Sequence, residues 1–159
     1  MSIRCAAKAV IICENKVLLN MCSHDNGDIY YDLPGGGQHK YEDMESAVRR
    51  EVMEETGYAV KNMRFAALAE DIFMEARLRE IEPDYCHRIY HIFAANVAED
   101  VKNEPTELDK GMKKSVWVDI NEVKCLPEVF PARMAELVDN IVNGGPVMYL
   151  GTNFIEKWE

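Results

Sequence analysis

The stretch GGGQHKYEDMESAVRREVMEETGY, residues 35–58, joins a glycine run directly to a helical pattern. Asp43 or Glu42 is expected to start the helix, because an acidic side chain accepts hydrogen bonds from free N–H groups and suits the positive end of the helix dipole. Gly57 is expected to end the helix, because glycine readily adopts the left-handed conformation of a C-cap. The fold and the functional site are both predicted to centre on this helix.

Three carboxylates lie beside the apolar residues of this helix and not on its solvated face. With about 100° between successive residues, Glu51, Glu54 and Glu55 occupy a wedge of roughly 100° that adjoins Val48 and Val52. Like charges three or four residues apart cost about 0.2–0.5 kcal/mol each, and acids in the last turn oppose the dipole. A solvated acidic face is the alternative interpretation. The crowding favours a divalent cation, and Mg²⁺ prefers carboxylate and carbonyl oxygens.

Arg50 and the glycine run add to this interpretation. Arg50 precedes Glu54 by four residues and can pair with it, but one arginine cannot neutralise three carboxylates. The glycine run allows positive φ angles and a close approach of the backbone to a metal ion or phosphate, although an ordinary turn is the commoner use. The run matches neither GxGxxG nor a Walker A loop, so it does not indicate a Rossmann fold or a P-loop.

The spacing of these residues resembles the Nudix box of the Nudix hydrolases, here residues 36–58. The motif positions that match are Gly36, Glu42, Arg50, Glu51, Glu54, Glu55 and Gly57. The sequence departs from the motif at Tyr58, where the family usually has an aliphatic residue. That position serves packing, so the departure hardly affects the chemistry.

The resemblance implies a metal-dependent hydrolase, in which a metal-activated water attacks phosphorus in a nucleoside diphosphate linked to another moiety. The catalytic residues that it implies, three metal-binding carboxylates and an arginine that orients them, are Glu51, Glu54, Glu55 and Arg50. A carbonyl of Gly35 or Gly36 is the expected backbone ligand. Nudix proteins often use a glutamate from the region that corresponds to residues 98–114 as a further metal ligand or as the base. In this sequence Glu107 is our first choice for that residue and Glu104 the second. The implied cofactor is Mg²⁺, with Mn²⁺ as a substitute.

The composition limits the class of protein. A chain of 159 residues suits one domain over residues 1–159. A net charge of −10 disfavours nucleic acid and anionic membranes as partners. The resemblance to the Nudix family implies a small-molecule nucleotide as the substrate. Five scattered cysteines without a CxxC pair indicate reduced thiols and a cytoplasmic protein. The habit of the Nudix family favours a homodimer, which the sequence itself does not show.

Short apolar segments on either side of the helix predict strands. They cover residues 5–13, 16–21, 29–33, 64–74, 84–97, 115–119 and 147–150. A last helix is predicted from Pro127 to Val142, with Pro131 in its first turn, where proline is tolerated. The predicted fold class is α/β, a Nudix-like α/β/α sandwich with a mixed sheet between the two helices.

The substrate stays open at this stage. Tyr30 and Tyr31 could stack a base, although aromatic residues in strands more often face a core. His87 and His91 would lie about 13 Å apart along a strand, which does not suit a metal pair. Family signals for ADP-ribose, diadenosine polyphosphate, NADH and coenzyme A hydrolases are missing after the box, so a nucleoside triphosphate or a nucleotide sugar remains. A non-catalytic nucleotide-sensing module and an isomerase on the same fold are the alternatives to a hydrolase.

Overall fold

One mixed sheet and three helices make up the computed structural model, which describes residues 3–98 and 102–157. The strands are β1 (Arg4–Cys13), β2 (Lys16–Ser23), β3 (Ile29–Asp32), β4 (Gly35–Gly37), β5 (Val60–Phe73), β6 (His87–Val97), β7 (Met112–Asp119), β8 (Val129–Phe130) and β9 (Met148–Ile155). The α-helices are α1 (Met44–Thr56), α2 (Ala76–Ile81) and α3 (Met134–Val142). Two 3₁₀ turns, Pro83–Tyr85 and Ile120–Cys125, complete the described elements.

The strands follow the order β8-β3-β2-β1-β6-β5-β9, with β4 paired to β1 and β7 paired to β2. The pairs β1–β6, β5–β9 and β3–β8 are parallel, and the other pairs are antiparallel. The prediction of a mixed sheet is therefore confirmed. The sheet branches at β2, because β2 pairs with β1, β3 and β7. The sheet therefore curls around the part of β1 with which the glycine strand β4 pairs.

The sheet carries a hydrophobic core on each face. The core under α1 contains Ala7, Ala9, Ile11, Leu18, Ala47, Val48, Val52 and Phe93. The core under α3 contains Val10, Val17, Leu19, Ile92, Met134, Val138 and Ile141. Successive residues of β1 point to opposite faces, so Ala9 packs towards α1 and Val10 towards α3. The predicted α/β/α sandwich is confirmed.

The prediction for the last helix was wrong at its N-terminus. The helix begins at Met134 rather than Pro127, because the preceding segment pairs with the sheet as β8. The N–H of Leu33 donates to the carbonyl of Phe130 at 3.3 Å, which holds this segment extended. Arg133 has a left-handed φ of 68° immediately before the helix, so Pro131 lies outside the first turn.

Three other elements also differ from the prediction, each because of the local backbone conformation. Strand β5 begins at Val60 and continues past a left-handed residue, Asn62, where its pairing with β6 shifts register. Strand β6 begins at His87, because a 3₁₀ turn occupies Pro83–Tyr85. The glycine run forms the short strand β4, where a loop was expected. Within the described residues, no helix has the length and apolar character needed to cross a membrane.

Candidate active site

Helix α1 has the two caps that its sequence predicts. The Asp43 side chain accepts a hydrogen bond from the N–H of Ser46 at 2.9 Å, and Gly57 has a φ of 76°. Val48 and Val52 are fully buried and attach the helix to the sheet. These contacts fix the rotation of α1, so its glutamates face the glycine strand and the end of β2.

Arg50 lies at the centre of an ion-pair network on α1. Its guanidinium donates to both carboxylate oxygens of Glu42 at 2.8 and 3.0 Å, to Glu51 at 2.8 Å and to Glu54 at 3.1 Å. It also donates to the carbonyl of Gly37 at 3.0 Å. Hydrogen bonds from Arg50 lower the pKa of Glu42 to about 2, so Glu42 stays ionised. The arginine therefore holds Glu51 and Glu54 beside the glycine strand and ties that strand to the helix.

Two neighbouring glycines of β4 have different roles beside the Glu51 carboxylate. A Cβ atom on Gly36 would lie 2.6 Å from Oε2 of Glu51, so the carboxylate occupies the space that a side chain at this position would take. A Cβ atom on Gly35 would lie 2.2 Å from the carbonyl oxygen of Ala7, and Gly35 has a φ of +126°. Gly35 therefore maintains the pairing of β4 with β1, while Gly36 leaves room for a carboxylate.

Glu55 is buried, with 2% of its surface exposed. One carboxylate oxygen, Oε2, accepts hydrogen bonds from Nδ2 of Asn20 at 2.8 Å and from the N–H of Gly35 at 3.0 Å. Ser115 fixes the orientation of Asn20 by donating to its Oδ1 at 2.9 Å. The other oxygen of Glu55, Oε1, is buried and has no hydrogen-bond partner within the described residues. Burial raises the pKa of Glu55 to about 8, despite the attraction of Lys8.

Sequence reasoning missed the buried cation beneath these groups. Nζ of Lys8 donates to Oδ2 of Asp32 at 2.8 Å and to the carbonyl of Leu33 at 3.0 Å. Burial alone would lower the pKa of Lys8, but attraction to Asp32 and Glu55 outweighs burial and raises it. The signal was present as a single lysine within an apolar strand, since a buried lysine requires a charged partner.

The box glutamates provide a donor set that suits a hard divalent cation. Carboxylate oxygens are the ligands that Mg²⁺ prefers, and no group in the described part of the chain donates to the buried Oε1 of Glu55. In this structure Glu51 and Glu54 turn to Arg50, and Glu55 turns to Asn20. Consequently, no set of three His, Cys, Asp or Glu residues in the described part of the chain is gathered in metal-binding geometry. Glutamate side chains are suitable ligands for a divalent cation, but in this structure Glu51 and Glu54 adopt rotamers that bind Arg50.

A cleft of about 880 Å³ opens beside Glu55 and Asn20. The polar residues Ser23, His24 and Asp25 also line this cleft. The two tyrosines of β3 separate: Tyr30 lines the cleft, and Tyr31 packs against the core on the α3 side. The Tyr30 ring lies 4.4 Å from the ring of His24 and 5.6 Å from that of Phe130. The cleft therefore combines carboxylate, amide and aromatic groups.

Comparison with known proteins places this geometry in a family. A family model described as the NUDIX domain matches residues 4–141. The chain belongs to the NUDIX family. The Nudix box is therefore α1 together with β4, and the carboxylates described above are its glutamates. Membership identifies the chain as a Nudix hydrolase family protein, and it leaves the substrate and the role of each residue to be tested.

Solved structures share the Nudix fold of this chain at low sequence identity. A NUDIX hydrolase from Nitrosomonas europaea superposes with a TM-score of 0.71 at 18% identity, covering 92% of this chain and 93% of that one. A MutT protein from Bacillus halodurans superposes with a TM-score of 0.71 at 19% identity, covering 99% and 94%. An ADP-ribose pyrophosphatase from Streptococcus suis superposes with a TM-score of 0.63 at 18% identity, covering 93% and 99%. At these identities the similarity establishes the fold alone.

The loop that precedes β7 contacts the end of the Nudix helix through its backbone. The N–H groups of Thr106 and Glu107 donate to the carbonyl of Glu54 at 2.8 and 3.1 Å. The side chains of Glu107 and Glu104 are exposed, and neither is among the residues that line the cleft. Asp109 of the same loop does line the cleft. The structure thus places Glu107 beside the helix end without bringing its carboxylate to the box glutamates.

Proposed function

We propose that this Nudix protein is a pyrophosphohydrolase that depends on Mg²⁺ or Mn²⁺ and cleaves the diphosphate linkage of a nucleoside diphosphate derivative. The observation that carries the proposal is that the last of the three Nudix-box glutamates lines the cleft. This residue, Glu55, shares α1 with Glu51 and Glu54, and its buried Oε1 has no hydrogen-bond partner within the described residues. A nucleoside triphosphate and a nucleotide sugar are the candidate substrates.

Glu51, Glu54, Glu55 and a carbonyl of Gly35 or Gly36 are the groups that would hold the ion. A bound divalent ion supplies neutralising charge for phosphate oxygens and lowers the pKa of water towards neutrality. Every candidate side-chain ligand lies on α1, so the caps and buried valines of the helix set the spacing of the carboxylates. The backbone ligand comes from β4, which Arg50 ties to the same helix.

The role of Arg50 in this proposal is to keep like charges together before substrate arrives. It carries one positive charge among Glu42, Glu51 and Glu54, and its side chain is 23% exposed. Glu42 binds the arginine through two oxygens, which fixes the guanidinium plane. The remaining donors of Arg50 then hold Glu51 and Glu54 beside Gly37 and Gly36. We assign Arg50 to positioning and the glutamates to the ion.

Asn20 and the N–H of Gly35 have the corresponding role for Glu55. Both donate to Oε2, so the carboxylate is held by one oxygen and presents the other for a ligand. Tyr30 lines the same cleft, and we assign its aromatic ring to stacking of the nucleobase. Base stacking on an aromatic side chain is worth about 1–3 kcal/mol in nucleic-acid complexes, which is enough to orient a nucleotide whose phosphates lie at the glutamates.

The test is hydrolysis of a panel of nucleotides with each metal ion. The protein is incubated with UTP, ATP, UDP-glucose and ADP-ribose plus Mg²⁺ or Mn²⁺, and released monophosphate, pyrophosphate or sugar phosphate is quantified. We expect turnover of at least one compound, abolished by chelation of the metal. Glu54→Gln should lose most turnover and stay folded, while Glu45→Gln, an exposed substitution on the same helix, should retain turnover. Ligand-induced thermal stabilisation without turnover of any compound would instead identify a nucleotide-sensing module.

A further inference from the structure

Two arginines lie side by side at the wall of the cleft. Strands β1 and β6 run parallel, and their register pairs Arg4 with Arg88. Paired residues on neighbouring strands project from the same face of the sheet, about 4.8 Å apart at the backbone. Both residues line the cleft. Like charges directly opposite each other destabilise a sheet, so this pairing requires a compensating anion.

The protein supplies only part of that compensation. Nη2 of Arg88 lies 3.3 Å from Oδ2 of Asp71, a buried carboxylate that also accepts from Tyr90 at 2.9 Å and from Asn153 at 3.2 Å. Within the described residues, Arg4 forms no ion pair and its side chain donates no hydrogen bond. The chain holds 28 Asp and Glu residues against 18 Lys and Arg. Among the described residues, the N–H donors of Arg4 are therefore available to a bound anion.

Aromatic rings hold the two guanidinium groups in fixed places. Cζ of Arg4 lies 4.6 Å from the centre of the Tyr85 ring. Cζ of Arg88 lies 4.7 Å from the centre of the Phe73 ring and 5.4 Å from that of Tyr90. Stacking orients a guanidinium plane without using its N–H donors. Nε of Arg88 is buried and has no hydrogen-bond partner within the described residues, so a donor remains to be satisfied.

The position of Arg4 connects this pair to the Nudix box. A Cβ atom on Gly37 would lie 2.4 Å from Nη2 of Arg4, so the guanidinium lies against the glycine strand. The preceding residue, Gly36, provides the space for the Glu51 carboxylate. A group bound by Arg4 would therefore adjoin the box, and Arg88 lies next to Arg4 on the neighbouring strand of the same cleft.

We propose that Arg4 and Arg88 form a phosphate-binding subsite, which selects substrates that carry a phosphate group beyond the diphosphate that is cleaved. The planar donor fork of arginine suits phosphate oxygens, and two forks side by side suit a doubly charged group. A nucleoside triphosphate carries such a group, while the sugar of a nucleotide sugar offers neutral hydroxyls at that place. The inference rests on the proposed hydrolase function and narrows its substrate class to nucleoside triphosphates.

The experiment compares UTP with UDP-glucose, which share the base, the ribose and the diphosphate. Values of KM and kcat are measured for the wild type, Arg4→Gln, Arg88→Gln and Arg88→Lys. Arg88→Lys keeps the charge beside Asp71 if the glutamine variant fails to fold. Arg133→Gln is the control, since it removes one positive charge from a half-exposed side chain outside the cleft.

We expect the wild type to prefer UTP, and Arg4→Gln to raise the KM for UTP at least about tenfold, as loss of a hydrogen bond to a charged group predicts. The KM for UDP-glucose should rise less than about threefold, and kcat should stay within about twofold. Arg133→Gln should leave all values near those of the wild type. Equal changes for both substrates would place the arginines on the shared diphosphate, and no change would remove them from the substrate. Either result would overturn the proposal.

A second measurement separates this inference from the proposed function. Calorimetric titration with inorganic pyrophosphate, without divalent metal, reports on the subsite whether or not the protein is catalytic. Binding that weakens at least about tenfold in Arg4→Gln, and is unchanged in Arg133→Gln, supports the subsite. Equal binding by all variants would overturn it. A wild type that hydrolyses neither UTP nor UDP-glucose but shows this pattern would contradict the hydrolase and retain the anion site.

Discussion

Substituting alanine at two neighbouring glycines should separate the stability of the site from its activity. In Gly36→Ala, the new Cβ would lie 2.6 Å from Oε2 of Glu51, while ordinary contacts begin at 3.4 Å. The carboxylate must retreat by about 0.8 Å, the difference of these two distances. The obstructing atoms are the end of a flexible side chain, so the fold can accommodate them by a rotamer change. A misplacement of about 1 Å at a reacting centre can cost about 100-fold in rate.

Gly35→Ala is the matched contrast. Its Cβ would lie 2.2 Å from the backbone oxygen of Ala7, and the residue has a φ of +126°, so neither obstruction can move away. Backbone strain and overpacking each cost about 1–3 kcal/mol. We therefore expect a loss of at least about 2 kcal/mol in the free energy of unfolding for Gly35→Ala. Gly36→Ala should change it by less than about 1 kcal/mol.

Urea denaturation and turnover of the best substrate, measured on both variants, provide the test. Gly36→Ala should unfold at nearly the wild-type urea concentration and lose about 100-fold in kcat/KM. Gly35→Ala should unfold at a clearly lower concentration. Wild-type turnover by Gly36→Ala would show that the place of the Glu51 carboxylate is unimportant. Equal destabilisation by both substitutions would show that Gly36 serves the backbone and not the carboxylate.

Substitutions at three further positions probe the surrounding network. Glu42 has a pKa of about 2 against an ordinary 4.5, so its ion pair stabilises the fold above pH 4.5 and that stability is lost as the pH falls towards 2. Glu42→Gln should lower the free energy of unfolding, measured by urea denaturation, by about 1–2 kcal/mol at pH 7, after allowance for the partial exposure of Glu42. The loss should be smaller at pH 3; an equal loss at both pH values would contradict the ion pair between Glu42 and Arg50. Lys8→Met should destabilise the fold by about 3 kcal/mol, because it leaves the buried Glu55 and the partly buried Asp32 without their cation; an unchanged urea midpoint would contradict that role. Asn20→Ala should lower kcat at least about tenfold by releasing Glu55, and Asn20→Asp, which also removes the N–H donor to Glu55, should do no better; full activity in either variant would show that Glu55 needs no such donor.

Local patterns predicted the Nudix helix well because its ends are decided locally. A side chain that accepts hydrogen bonds and a glycine that turns left-handed are properties of Asp43 and Gly57 themselves. The start of the last helix could not be found in this way. Residues 127–133 carry an apolar pattern that suits a helix, but β3 offers backbone partners to Val129 and Phe130. The extended conformation of this segment is therefore due to pairing with a strand nearly a hundred residues earlier in the sequence.

In the candidate site, too, features that depend on neighbouring residues were predictable, and features that depend on distant residues were not. Spacing on one helix identified Glu51, Glu54 and Glu55 as a group, because helical periodicity is local. It could not show that Glu55 is buried under Asn20, since that contact joins β2 to α1. Nor could it show that Arg4 and Arg88 are neighbours, because the register of two parallel strands depends on the whole sheet. Side-chain chemistry and a partner on the same helix, such as Glu54 for Arg50, were visible in the sequence, while partners on other elements were not.

The central claim is that the glutamates of the Nudix helix hold a divalent ion. Its most direct test is a titration of the substrate-free protein with Mn²⁺, followed by electron paramagnetic resonance, for the wild type, Glu54→Gln and Glu45→Gln. We predict saturable binding by the wild type and by Glu45→Gln, and an affinity at least about tenfold weaker in Glu54→Gln. Equal binding by all three proteins, or no saturable binding by the wild type, would contradict the claim.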